Sequence, residues 1–133
     1  MKNVTDNFGR NAGRIWRTLE RYGPLNEEYL VKKTRLNKND FYLGIGWLAR
    51  ENKISKDGST YKLSETNLTG KIGGDAGKIW NTLYTNRDIN VTSIAKISQV
   101  KIKDAYLALG WLAREDKLKA NWKDKQVKYE LKD

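Results

Sequence analysis

The chain has no cysteine and no histidine, and a single proline and a single methionine among its 133 residues. Each absence excludes something. Without Cys there is no disulfide, no thiolate nucleophile and no Cys-ligated zinc. Without His, the commonest general base near neutral pH and the commonest metal ligand are both missing. Most hydrolase triads and most zinc sites therefore cannot be assembled, which leaves carboxylate, lysine or tyrosine chemistry, or none. No apolar run approaches the roughly 18 residues of a membrane-spanning helix. The segment Met1–Arg10 lacks the apolar core of a signal peptide. A cytoplasmic protein is the expectation.

What the chain does have is positive charge and aromatic rings. Lys and Arg number 26 against 16 Asp and Glu, a formal net charge of +10, with five Trp and seven Tyr. A hydrophobic share of 38% supports a packed core even though 32% of residues are charged. Such a balance calls for an anionic partner, nucleic acid ahead of an acidic protein or a membrane surface.

The chain is a repeat. Ala12-Gly13-Arg14-Ile15-Trp16 recurs as Ala76-Gly77-Lys78-Ile79-Trp80, an offset of 76 − 12 = 64. Gly46-Trp47-Leu48-Ala49-Arg50-Glu51 recurs as Gly110-Trp111-Leu112-Ala113-Arg114-Glu115, and 110 − 46 is again 64. Two motifs at one fixed offset define two copies, residues 1–66 and 67–133. Each copy carries 13 basic and 8 acidic residues, so 13 − 8 = +5 belongs to the unit and not to a tail. The polar stretch Ser64–Lys71 is the natural boundary, short enough that the copies should pack on each other.

Within one copy, Ile15, Trp16 and Leu19 give the apolar stripe of a helix over residues 10–22, stopped by Gly23 and Pro24. Asn26 caps a second helix over 26–33. Asn37 caps a third, with Asp40 completing a capping-box-like pattern and Phe41, Gly44, Ile45 and Leu48 on its core face. Two alternating runs around Asp57-Gly58 then predict a hairpin. The second copy repeats this order with a hairpin longer by four residues, since Tyr129 and Leu131 match Tyr61 and Leu63 at offset 68. The fold class is mainly α with small β hairpins, an α+β arrangement. Three helices, a short helix-turn-helix and a terminal hairpin describe two tandem winged helix-turn-helix domains.

The AGxIWxxL opening and the GWLxRExK close resemble a small family of prokaryotic winged helix-turn-helix proteins, over both halves of the chain. The resemblance implies this fold and DNA binding, and it carries over no catalytic site. In such domains the start of the third helix enters the major groove while the wing lies along a backbone or minor groove. In the first copy this nominates Arg35, Lys38, Asn39 and Tyr42, with Lys56 on the wing. In the second it nominates Gln99, Lys101, Lys103 and Tyr106, with Lys119, Lys123 and Lys125 on the wing. Lys and Arg neutralise phosphate, and Asn and Gln can pair with adenine.

Two further features bear on contacts. Arg10, Arg14, Arg17 and Arg21 form one stripe along the first helix, where the second copy has Gly74, Lys78, Asn81 and Thr85. Such a stripe suits a phosphate backbone or an acidic partner. Trp122 continues the Leu118, Ala120 alternation, which places it on the hairpin's core face. At a wing tip it could instead wedge into the minor groove or stack on a base.

The far face of the third helix is unexpectedly apolar: Leu43, Gly46 and Trp47, repeated as Leu107, Gly110 and Trp111. It reads either as packing under the wing or first helix, or as a protein interface, copy against copy or in a homodimer. The leading function is therefore a DNA-binding protein, a transcription regulator or a nucleoid-associated protein working largely through the backbone. The alternative is an interaction scaffold using the third-helix face. No enzyme activity, metal, cofactor, small-molecule substrate or membrane partner is expected.

Overall fold

In the computed structural model, which describes residues 3–133, the elements come in the same order twice. The first copy contributes α1 (Thr5–Tyr22), the short strand β1 (Leu25–Asn26), α2 (Glu27–Thr34), α3 (Lys38–Arg50) and a hairpin of β2 (Ile54–Asp57) and β3 (Thr60–Leu63). In the second, a π-helical turn over Thr69–Gly73 leads into α4 (Gly74–Thr85). There follow α5 (Val91–Ser98), α6 (Ile102–Arg114) and a hairpin of β4 (Leu118–Lys123) and β5 (Gln126–Leu131).

Helix α1 begins five residues earlier than the apolar stripe predicts, because Phe8 extends that stripe. Phe8, Ala12, Ile15 and Leu19 recur at helical spacing and all are buried. Gly23, at φ 76°, ends the helix, and its N–H donates to the Leu19 carbonyl at 2.8 Å. The caps at Asn26 and Asn37 form as expected: their side chains accept from the N–H groups of Tyr29 and Asp40, each at 2.8 Å. The first sheet has the order β1-β3-β2, with Leu25 opposite Tyr61. In the second copy the matching pair is a single bridge between Ile89 and Tyr129. The first hairpin turns at Gly58–Ser59, one residue beyond the predicted Asp57–Gly58, because Asp57 pairs with Thr60 in the ladder. The second turns at Asp124–Lys125, both left-handed at φ 54° and 64°.

The two copies pack through their third helices. The lower ends of α3 and α6 meet by reciprocal ion pairs, Arg50 with Glu115 at 3.0 Å and Arg114 with Glu51 at 2.9 Å. At the other end Lys103 lies 5.1 Å from the Tyr42 ring centre. The helices therefore run in the same sense, related by a pseudo-twofold axis. They touch backbone to backbone at two glycines. A Cβ built on Gly46 would stand 1.9 Å from the Leu107 carbonyl oxygen, and one on Gly110 would stand 2.0 Å from that of Leu43. Only glycine permits this approach. The apolar face of the third helix is thus filled by the other copy of the same chain. That is the copy-against-copy reading; a homodimer through this face would have to displace its own partner half. Trp47 lies against Gly9 of α1, and Trp111 against Gly73 of the turn that leads into α4.

The segments leading into each first helix cross over. Asn67 clamps the first wing: Lys56 N–H donates to its Oδ1 at 3.0 Å, and its Nδ2 donates to the Lys56 carbonyl at 2.7 Å. Asn3, 67 − 3 = 64 residues earlier, does the equivalent on the second wing, accepting from Ala120 N–H at 3.1 Å. Phe8 accordingly joins the second copy's core and Ile72 the first's. The boundary expected after residue 66 falls within this crossing segment.

Close approach at Gly46 sets a prediction. Gly46→Ala should destabilise the protein by about 1–3 kcal/mol or more, the range for overpacking, because the clash is with backbone. Gly77→Ala, where a Cβ meets nothing within 4 Å in mid-helix, should instead stabilise by about 0.5–1 kcal/mol. Denaturant midpoints of the two variants check both signs.

Candidate nucleic-acid interface

The residues nominated for DNA divide into those on the surface and those engaged elsewhere. Arg35 and Gln99 end α2 and α5 in left-handed geometry, both at φ 58°, and are exposed at the helix-turn-helix corners. Lys38 and Asn39 are exposed on the first turn of α3, and Lys101 is exposed at the N-cap of α6. Lys119 and Lys125 are exposed on the second wing. Lys56 is half-buried, with its ammonium 5.4 Å from the Tyr61 ring centre.

Tyr42, Lys103 and Lys123 are engaged within the protein. Tyr42 is 7% exposed and donates its hydroxyl to Glu27 at 2.9 Å; Tyr61 donates to the same carboxylate at 3.0 Å. Lys103 sits over Tyr42 and 4.0 Å from Glu27. Tyr42 thus fails as a base-reading residue, and Lys103 serves the contact between copies. Burial, then the hydrogen bond to Glu27 and its charge, push the Tyr42 hydroxyl up to about 12. Burial alone would raise Glu27, but the two hydroxyls, Lys103 and Lys56 outweigh it and hold the carboxyl below its ordinary value. Lys123 pairs with Asp88 at 2.5 Å, and that hydrogen bond holds Asp88 below its ordinary value. Tyr106, the counterpart of Tyr42, is half-buried.

Trp122 lies on the core side of its strand, as the alternation requires, yet it is 62% exposed. The longer hairpin carries it past the helices that bury Leu118 and Ala120, so core burial stops short of it.

The arginine stripe is fully on the surface. Arg10, Arg14, Arg17 and Arg21 each follow a buried residue of α1 by two positions, about 200° around the helix. Tyr22 continues the stripe toward α2, with Arg21 5.5 Å and Lys33 4.3 Å from its ring centre. Among the described residues these four arginines, Lys32, Lys33, Arg35 and Lys38 make no ion pair, and all are exposed. Sequence reasoning missed Lys32 and Lys33; their adjacency to Arg35 was the available signal. In the second copy, by contrast, Lys71, Arg87, Lys103, Lys117, Lys123, Lys128 and Lys132 all pair with acids. Equal formal charge thus hides unequal free charge. Among the described residues no helix is long and apolar enough to cross a membrane, and no cluster of three acidic side chains could hold a metal ion.

Two matched sets of three helices with a terminal hairpin, each with a helix-turn-helix corner, make this a tandem winged helix-turn-helix protein, a class that suggests DNA binding. The chain belongs to the family of the winged helix-turn-helix domain DUF2582, whose model matches twice, over residues 1–67 and 66–131. It is similar to the uncharacterized protein MJ1608 of Methanocaldococcus jannaschii, 37% identical over 71 residues, which span 49% of this chain and 96% of that protein. No solved structure matches the chain significantly.

The Glu27 cluster titrates in a defined direction. A carboxyl held below its ordinary value adds stability that is present above pH about 4.5, the unfolded value, and is lost as pH falls through the folded value. Glu27→Gln should therefore be less stable than the parent at pH 7, with the difference shrinking as pH is lowered from 5 to 3. Thermal melts across that range would show the two curves converging; a constant gap would contradict the assignment.

Proposed function

We propose that the protein binds double-stranded DNA chiefly through the phosphate backbone, with little base readout, as a nucleoid-associated or transcription-regulating protein of the cytoplasm. The observation that carries this reading is the run of exposed, ion-pair-free cations on the first copy, from Arg10 along α1 to Lys33, Arg35 and Lys38. Four like charges at successive helical turns repel one another by a few tenths of a kcal/mol per pair. A phosphate backbone offsets that repulsion and releases counterions.

The packing of the third helices supports backbone contact over groove reading. Dimeric helix-turn-helix proteins place two recognition helices about 34 Å apart, in successive turns of the major groove. Here α3 and α6 touch along their length, so they cannot occupy two such turns. Their first turns and the wings remain: Lys38, Asn39 and Lys101, with Lys119 and Lys125 as wing contacts. Asn39 and Gln99 are the only amides among the nominated residues in position to read a base. The scaffold alternative loses the surface it relied on, since the Leu43-Gly46-Trp47 face is covered from within.

Gel shifts of random and defined duplexes at two salt concentrations test this. With about four to eight phosphates contacted, the log–log salt slope should be about −4 to −7. Replacing Arg10, Arg14, Arg17 and Arg21 together by Gln should flatten it by about 0.9 for each phosphate lost. The binding loss should be similar on all sequences. A slope near zero, or an unchanged slope in the variant, would remove the backbone reading.

A further inference from the structure

A cavity of about 690 Å³ opens between the second wing and the first turns of α1, α3 and α5. Phe8, Leu43, Val91 and Val127 line it, with Tyr106, Tyr129 and Trp122 as its aromatic walls. The pseudo-twofold places a counterpart on the opposite side of the molecule, and there the space is plugged by ions. Glu27 accepts from both Tyr42 and Tyr61, Lys103 lies above them, and Lys71 joins Asp75 at 2.9 Å and Asp104 at 3.4 Å.

On the cavity side, four of the five plugging residues have lost their charge. Val91 stands where the twin has Glu27, Asn39 where it has Lys103, Asn7 where it has Lys71, and Asn11 where it has Asp75; Asp40 alone matches Asp104 in kind. The tyrosines are retained. Tyr129 is 3% exposed, and neither its hydroxyl nor that of Tyr106 finds a hydrogen-bond acceptor among the described residues. Both tyrosines line the cavity, so their hydroxyls are open to an acceptor bound there. Two donors thus face the place that a carboxylate fills in the twin.

We propose that this cavity binds a nucleobase bearing a ring carbonyl, such as guanine, thymine or uracil, presented by a mononucleotide or by an unstacked base of a single strand. The carbonyl accepts from the Tyr106 and Tyr129 hydroxyls where the twin has its carboxylate. The neighbouring ring N–H donates to Asp40, whose charge acts on both tyrosines. That charge also argues for a neutral acceptor, since an anionic one would meet Asp40 without the Lys103 and Lys71 that balance the twin. The exposed ring of Trp122 offers a stacking face, and Arg10 at the rim suits a phosphate. The volume lies within the roughly 300–1,000 Å³ of small-molecule sites. The site shares Arg10 with the end of the arginine stripe, but its base-binding groups, Tyr106, Tyr129, Asp40 and Trp122, lie off that stripe.

Calorimetric titration of the full chain with guanosine and uridine 5′-monophosphates, with the adenosine compound as a control lacking a ring carbonyl, and with a short oligothymidylate tests it. Saturable binding of the mononucleotides marks a free-nucleotide site; binding of the oligothymidylate alone marks an unstacked-base site. Val91→Glu places the twin's carboxylate against the two hydroxyls and should weaken either binding at least tenfold in a protein whose circular dichroism matches the parent's. Tyr129→Phe should weaken it about tenfold, the worth of one good hydrogen bond. Absence of binding by all of these ligands, equal binding of the adenosine compound, or binding unchanged in a folded Val91→Glu protein would overturn the proposal. Duplex retention by the same preparations is read separately, so failure of one result leaves the other intact.

Discussion

The structure depends on the contact of two glycines with two carbonyls. Gly46 lies against Leu107 and Gly110 against Leu43, closer than any side chain would allow. This approach sets the distance between α3 and α6, brings Arg50 to Glu115 and Arg114 to Glu51, and fixes the pseudo-twofold axis. Those ion pairs are partly exposed, each worth well under the contact itself at about 0–1 kcal/mol. The close backbone packing and the burial of Leu43 and Leu107 do the larger share. A glycine in mid-helix costs about 1 kcal/mol relative to alanine, and here that cost is offset by an interface no other residue permits.

From that axis follows the way the copies complete each other. Asn3 and Asn67 hold opposite wings, while Phe8 and Ile72 fill opposite cores. Each copy, small enough to be marginal by itself, borrows apolar surface from its neighbour. The two repeats are therefore one cooperative body, although the chain reads as two units in line. The same axis limits function: helices locked side by side give up the spacing that groove reading by paired recognition helices requires.

Much of this was legible from periodicity and spacing. The fixed offset of 64 disclosed the repeat, and Asn26 and Asn37 disclosed helix starts through chemistry that acts within four residues. The apolar far face of α3, with its mid-helix glycine, signalled a close contact. What stayed hidden depends on partners distant in the chain. Phe8 crosses to the other core, Leu25 of strand β1 pairs with Tyr61, 61 − 25 = 36 positions on, and Tyr42 looks like a surface residue until Glu27 is seen to hold it. Trp122 was placed on the correct side of its strand, but its exposure depends on where the helices end, and spacing within a strand carries no such information. Free charge was likewise invisible, because composition counts Lys103 and Lys123 the same as Arg14.

The placement of two copies in one chain is what allows the two halves to differ. In a dimer of identical chains, symmetry forces both sides to be the same: both polar pockets would be plugged, or neither. Here the twofold frame is kept by Gly46, Gly110 and the crossed lead-in segments, while residues off the axis have diverged. Glu27 on one side faces Val91 on the other, and Lys71 faces Asn7; the arginine stripe of α1 faces Gly74, Lys78, Asn81 and Thr85 on α4. One half retains free cations on its surface and a closed ionic cluster inside. The other neutralises most of its cations in pairs and carries a cavity with two hydroxyls facing it. The structural cost of the shared frame falls on a few residues near the axis, so the rest of each surface is left to chemistry the other copy does not share.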